Sequence, residues 1–139
     1  MSGFSWSSNL AILVAAVVAW LIGALWYSPV MFSKAWVKAH EYTAEQVAAM
    51  QVMQGKVIGL TLVAMILMAA VLQIFLNHLG ALTVREGMGW GFHAWLGFAV
   101  PFGFIAHLYS HKRINAWLID LGYQLVYLVV MGAILGAWH

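Results

Sequence analysis

The run Leu10-Ala-Ile-Leu-Val-Ala-Ala-Val-Val-Ala-Trp-Leu-Ile-Gly-Ala-Leu-Trp-Tyr27 has no charged and no amide side chain over 18 residues. As a helix rising 1.5 Å per residue it reaches about 27 Å, close to the thickness of a bilayer's hydrocarbon core. No face of such a helix would suit water. It therefore reads as a membrane span. No Lys or Arg precedes it, and it leads into Trp26-Tyr27-Ser28-Pro29 with no small-x-small cleavage pattern, so it is expected to be retained rather than removed as a signal peptide.

Three further apolar runs follow, at about 57–79, 88–108 and 116–138, each bounded by charge, Gly or Asn. Aromatic residues mark their edges: Trp26 and Tyr27 on the first run, Trp90 and Tyr109 on the third, Trp117 and Trp138 on the fourth. Rings of this kind sit at headgroup level. The expected fold is all-α, a polytopic membrane protein with four transmembrane helices in a single domain over 1–139. Composition agrees, because 65% of the chain is hydrophobic and 7% charged, whereas a soluble domain carries about 25% charged residues. A chain of 139 residues also excludes large transporter or receptor architectures acting alone. It has no cysteine, which removes disulfides, thiolate metal sites and thiol nucleophiles together.

Five of the six basic residues fall in alternate loops: Lys34, Lys38 and Lys56 between the first two spans, Lys112 and Arg113 between the last two. Arg85 alone lies opposite. The positive-inside rule then predicts that both loops are cytoplasmic and both termini lie on the non-cytoplasmic side. The basic residues form no patch suited to a phosphate backbone, so nucleic acid is not an expected partner. Within the first cytoplasmic loop, 28–56, Ser28-Pro29 reads as an N-cap followed by proline at the first helical position. The spacing of Met31, Phe32, Ala35, Trp36 and Ala39 predicts a short interfacial helix over about 29–40. Thr43-Ala-Glu-Gln46 is a capping box, expected to open a helix that continues straight into the second span.

Polar residues within a bilayer usually face the bundle interior and have partners. Asp120, Tyr123, Gln124 and Tyr127 stand at i, i+3, i+4 and i+7, on one face of the fourth span. For Asp120 the expected partners are Lys56, His107 and the Tyr27 hydroxyl. The stripe suits either a polar path or ligand site open to the cytoplasm, or a hydrogen-bonded seam that fixes helix register. In the third span Pro101 deprives the Gly97 carbonyl of its helical donor, which predicts a kink. His93 and Gln73 each lie about 9 Å from the outer ends of their spans, a depth at which they could meet. Gly132 and Gly136 form a small-xxx-small packing face, either within the bundle or between copies. His107 and His111 have the i, i+4 spacing of a metal pair, which His40, Glu41 and Asp120 on the same side could complete, but a solvated loop is the expected reading. No acidic residue lies near a midplane, no mid-span Lys suits a Schiff base, and no Ser–His–Asp arrangement is suggested. An enzyme is not expected, and no cofactor is implied.

Gly23-Ala-Leu-Trp-Tyr-Ser-Pro-Val-Met-Phe32 with Trp36, Trp95-Leu-Gly-Phe98, Leu118-Ile-Asp-Leu-Gly-Tyr-Gln-Leu-Val126 and Met131-Gly-Ala-Ile-Leu-Gly-Ala-Trp138 together resemble the bacterial membrane family DUF1761, over essentially the whole chain. The resemblance implies a four-helix protein of the bacterial cytoplasmic (inner) membrane with no established activity. It maps the family's recurring positions onto Trp26, Tyr27, Pro29, Trp36, Trp95, Gly97, Asp120 and Tyr123, with Asn or Asp at position 120. The expected role is a small scaffold or accessory subunit that packs with itself, as a homo-oligomer, or with other membrane proteins. The alternative is a small oligomeric channel or transporter whose polar path runs past the Gly97/Pro101 kink.

Overall fold

The computed structural model describes residues 6–138, and among them every regular element is helical. Four helical stretches are long and apolar enough to cross a membrane: Ser8–Trp26, Gln54–Leu79, Val84–Ser110 and Ile114–Ala137. The elements in chain order are α1 (Trp6–Trp26), α2 (Ser33–His40), α3 (Ala44–Val52), α4 (Gln54–Leu79), α5 (Val84–Ala94), a π-helical segment (Trp95–Ala99), α6 (Val100–Ser110) and α7 (Ile114–Ala137). The four-span helical membrane fold expected from the apolar runs is therefore present.

The fourth span, α7, is the hub, packing on α1, α5, α2, α4 and α6. Its buried side is a continuous apolar strip, including Leu121, Leu128, Met131 and Leu135. Against it α1 presents Ala11, Ala15, Ala16 and Ala19, all fully buried, so small side chains let these backbones approach. Met65, Ala69, Leu72 and Leu76 of α4 close the core.

Away from the basic end, α5 and α7 meet glycine to glycine. A methyl group on Gly87 would run into the Gly132 carbonyl, one on Gly91 into the Leu128 carbonyl, and one on Gly136 into the Thr83 carbonyl. Only the missing side chains allow this separation. The Gly132/Gly136 face thus serves the interior of the bundle, and its counterpart, Gly87-x-x-x-Gly91, stands on the third span. Thr83 starts that span four or five residues earlier than hydropathy suggested, accepting from the Glu86 N–H at 3.1 Å and donating to its carboxylate at 3.0 Å.

Two local expectations are corrected and a third is refined. Ser28 does not cap the interfacial helix: its hydroxyl turns back to the Leu25 carbonyl at 2.6 Å, and its own carbonyl receives the Met31 and Ser33 N–H groups. Residues 28–32 are consequently a turn and α2 begins at Ser33. The Thr43 capping box forms as expected, with Gln46 N–H to Thr43 Oγ1 at 3.2 Å and Thr43 N–H to Gln46 Oε1 at 2.8 Å. Its helix stops at Val52, because Met53 leaves helical geometry and bonds three residues back to Met50. Lastly, the strain of Pro101 is absorbed one turn upstream, where the Val100 N–H reaches back five residues to the Trp95 carbonyl. The third span thus carries a π-bulge just before Pro101, a feature that itself bends helices.

Candidate functional site

At the basic end, three indole N–H groups and one phenol converge on a single turn of α7. Trp26 donates to the Ile119 carbonyl at 3.0 Å, Trp36 to Asp120 Oδ1 at 3.1 Å, and Trp95 to the Leu121 carbonyl at 3.0 Å. Tyr27 donates to the same Asp120 Oδ1 at 2.5 Å. An indole N–H can only donate and is costly to bury without an acceptor, so each of these rings is committed to this turn. One turn further on, Tyr123 donates to the Ala19 carbonyl of α1 at 2.7 Å, its ring lying where a Gly23 side chain would otherwise stand.

The rings pack on each other as well as on α7. Tyr27 meets Trp36 and Tyr123 edge-on at 6.2 and 5.5 Å, and Tyr123 meets Tyr127 edge-on at 4.8 Å. Phe32 rests on Trp26 at 4.7 Å. The turn after α1 is thereby folded against α7, and α2 follows, burying Ala39 and aiming Trp36 inward. The interfacial helix is thus docked on the bundle through one aromatic side chain, while Lys34, Ala35 and Lys38 remain exposed.

Two contacts tie the basic loops together outside this cluster. Arg113 pairs with Glu41 at 3.1 Å, and the Lys112 ammonium donates to the His40 carbonyl at 3.3 Å while lying 5.2 Å above the Tyr42 ring. Both side chains of the ion pair are well exposed, so its contribution is small.

Between α1, α2, α3 and α4, with α7 as its floor, lies a groove of about 710 Å³. Tyr27, Trp36, Asp120 and Tyr123 line its inner wall, Gln51, Gln54 and Thr61 the outer. Both described bonds to Asp120 fall on Oδ1, which leaves Oδ2 without a hydrogen bond among the described residues.

Of the residues singled out in the sequence, Asp120, Tyr123 and Tyr127 come together, and Tyr27 is the partner of Asp120 that was anticipated. Lys56 and His107 are not: Lys56 is exposed, and His107 stacks on Trp117 at 5.7 Å. Gln124 is only partly buried and makes none of the contacts that join the cluster. Gln73 and His93 do not meet. Gln73 is buried in the core face of α4 with Oε1 lacking a partner, while His93 is exposed on the outside of the third span and bonded at 2.6 Å to the carbonyl of Gly89. Equal depth had placed them on one level, but they point in different directions. Gly97 and Pro101 are likewise exposed, so a polar path through all these residues is not assembled within the chain. His111 sits in left-handed backbone just past the end of α6. Among the described residues no group of three or more His, Cys, Asp or Glu could hold a metal.

Trp26, Trp36 and Trp95 were not recognised as ligands of α7 from the sequence. Their number and donor-only chemistry were the available signal, but two of their three acceptors are backbone carbonyls, which leave no mark in a sequence.

A sequence model of the family DUF1761, described as a protein of unknown function, matches residues 10–136, nearly the whole chain. No curated protein and no solved structure matches it.

Proposed function

The chain belongs to the DUF1761 family, and from that premise we propose that it is a small membrane scaffold or accessory subunit that packs against a second copy or another membrane protein through the outer face of its third span. One observation carries the proposal. Val84–Ser110 is the span least covered by its own chain, with 6% of its window buried against 39% for Ile114–Ala137. Phe92, Phe98 and Phe102 and the imidazole of His93 are all exposed on this span. A histidine facing lipid at this depth is costly, and such residues ordinarily turn to protein or water. A neighbouring helix removes that cost. Gly97, with open space where a side chain would stand, gives a second backbone room to approach.

In this role the basic end faces the cytoplasm of a bacterial cell, by the positive-inside rule, and His93 stands in the outer half of the inner membrane. In this reading the protein is no enzyme and takes no cofactor, which is supported by Asp120 Oδ1 and the Tyr123 hydroxyl being spent on contacts to Tyr27, Trp36 and Ala19 that hold the fold. Because His93, Gly97 and Pro101 face outward while Gln73 and Asp120 face inward, the packing favours this role over a channel.

The test is a photoreactive residue placed at Phe98 in native membranes, with the same residue at the exposed Leu67 of the second span as reference. Position 98 is expected to yield a defined protein adduct, homodimeric or heteromeric, and position 67 few. Lipid adducts alone at both positions, with a monomeric mass in mild detergent, would overturn the proposal.

A further inference from the structure

The groove beside Asp120 has features that the clasp on α7 does not require. Its volume of about 710 Å³ falls within the range of about 300–1,000 Å³ typical of small-ligand sites. Most of its wall is apolar and aromatic, including Trp20, Leu21 and Ile58, and Leu21 is itself exposed on the outside of the bundle. Among the described residues Asp120 is the only Asp, Glu, Lys, Arg or His side chain in the lining, although five of the six basic residues of the chain stand at this same end. The cavity therefore presents an acceptor-only charge with one oxygen unengaged, surrounded by the rings of Tyr27, Trp36 and Tyr123.

A carboxylate among aromatic rings suits a cation, which gains both a charge-assisted hydrogen bond and attraction to the π-systems. Bare anionic or phosphate groups have no donor cation in the lining to meet them. An apolar groove at the membrane surface adds the second requirement, a hydrocarbon portion on the same molecule. We propose that this groove binds a membrane amphiphile through an ammonium headgroup, with the cation on Asp120 Oδ2 and the hydrocarbon part along α1 and α4. Gln51 and Gln54, also in the lining, carry amide N–H groups that can donate to the phosphate oxygens of a zwitterionic headgroup.

The experiment is native mass spectrometry of the whole protein released from mixed micelles. These hold equal amounts of ethanolamine-headgroup and glycerol-headgroup phospholipids with identical acyl chains. The wild-type chain is expected to retain the ethanolamine lipid about tenfold better, the scale of one hydrogen bond to a charged group. Asp120→Asn keeps an Oδ1 acceptor for Tyr27 and Trp36 but removes the charge, and is expected to bring the two lipids to parity. Ala24→Phe fills the groove and leaves the carboxylate chemically unchanged, and is expected to lose the retained lipid. It keeps the test decisive if the Asn variant folds poorly. Free ethanolamine, which lacks chains, is expected not to displace the lipid. Equal retention of both lipids by the wild-type chain, an unchanged preference in either variant, or displacement by free ethanolamine would each overturn the proposal.

Discussion

The two ends of α7 are held by opposite means. At the basic end, side chains reach across space to one turn of the helix: Trp26, Tyr27, Trp36 and Trp95 deliver four directional hydrogen bonds onto residues 119–121. At the other end side chains are absent, and Gly87 and Gly91 bring α5 against the backbone of α7 at Leu128 and Gly132. The difference follows from the side chains each end has to offer. Near the headgroups a polar side chain can be strung between elements that would otherwise be wet and mobile, and its acceptor is chosen by geometry. At the glycine end no side chain is strung between α5 and α7, and because the hydrophobic effect does not separate helix from lipid, close van der Waals contact is what remains to hold the two helices together. One end is sensitive to chemistry, the other to volume.

The largest effect is expected where volume matters most. Gly132→Val would press a branched side chain into the Gly87 carbonyl, and is expected to cost about 3 kcal/mol or to prevent assembly of the third span, as read by unfolding in mild detergent. A near-neutral result would break the comparison at its glycine end. Asp120→Ala adds no volume but strands the Tyr27 and Trp36 donors, and should cost about 2–4 kcal/mol in the same assay. Trp95→Phe removes a single indole bond and keeps a ring, so a loss of about 1 kcal/mol is expected. His93→Phe, on the uncovered face, should leave stability within about 0.5 kcal/mol while altering the yield of cross-linked adducts at the third span. A destabilisation of the size expected for Asp120→Ala would place His93 in the fold and remove it from the association surface.

How much of this was legible in the sequence depended on whether the signal was periodic or azimuthal. The spans could be read because apolar runs of this length have one physical solution, and the loop capping box at Thr43 because its two bonds are local. The grouping of Asp120, Tyr123 and Tyr127 followed from helical spacing alone. Gly132/Gly136 was visible, and its mate Gly87/Gly91 has the same spacing, so the glycine crossing was within reach. The Gln73/His93 pairing failed because depth in the membrane fixes a level but not a direction around the helix. The tryptophan bonds were out of reach for a different reason. They end on carbonyls that every residue possesses, so which carbonyl is chosen is decided only when α1, α2 and α7 pack. The turn at Ser28 shows the same limit on a smaller scale, since its hydroxyl had two nearby backbone groups to serve and took the one behind it.

The account rests on the polar stripe of the fourth span being a fastening for α1 and α2. A double-mutant cycle of Tyr27→Phe and Asp120→Ala, measured by unfolding in mild detergent, tests it most directly. Polar pairs in membrane proteins couple by about 0.6 kcal/mol on average and up to about 1.7, and with a charged acceptor a coupling of about 1 kcal/mol or more is expected here. Strictly additive effects of the two substitutions would contradict it.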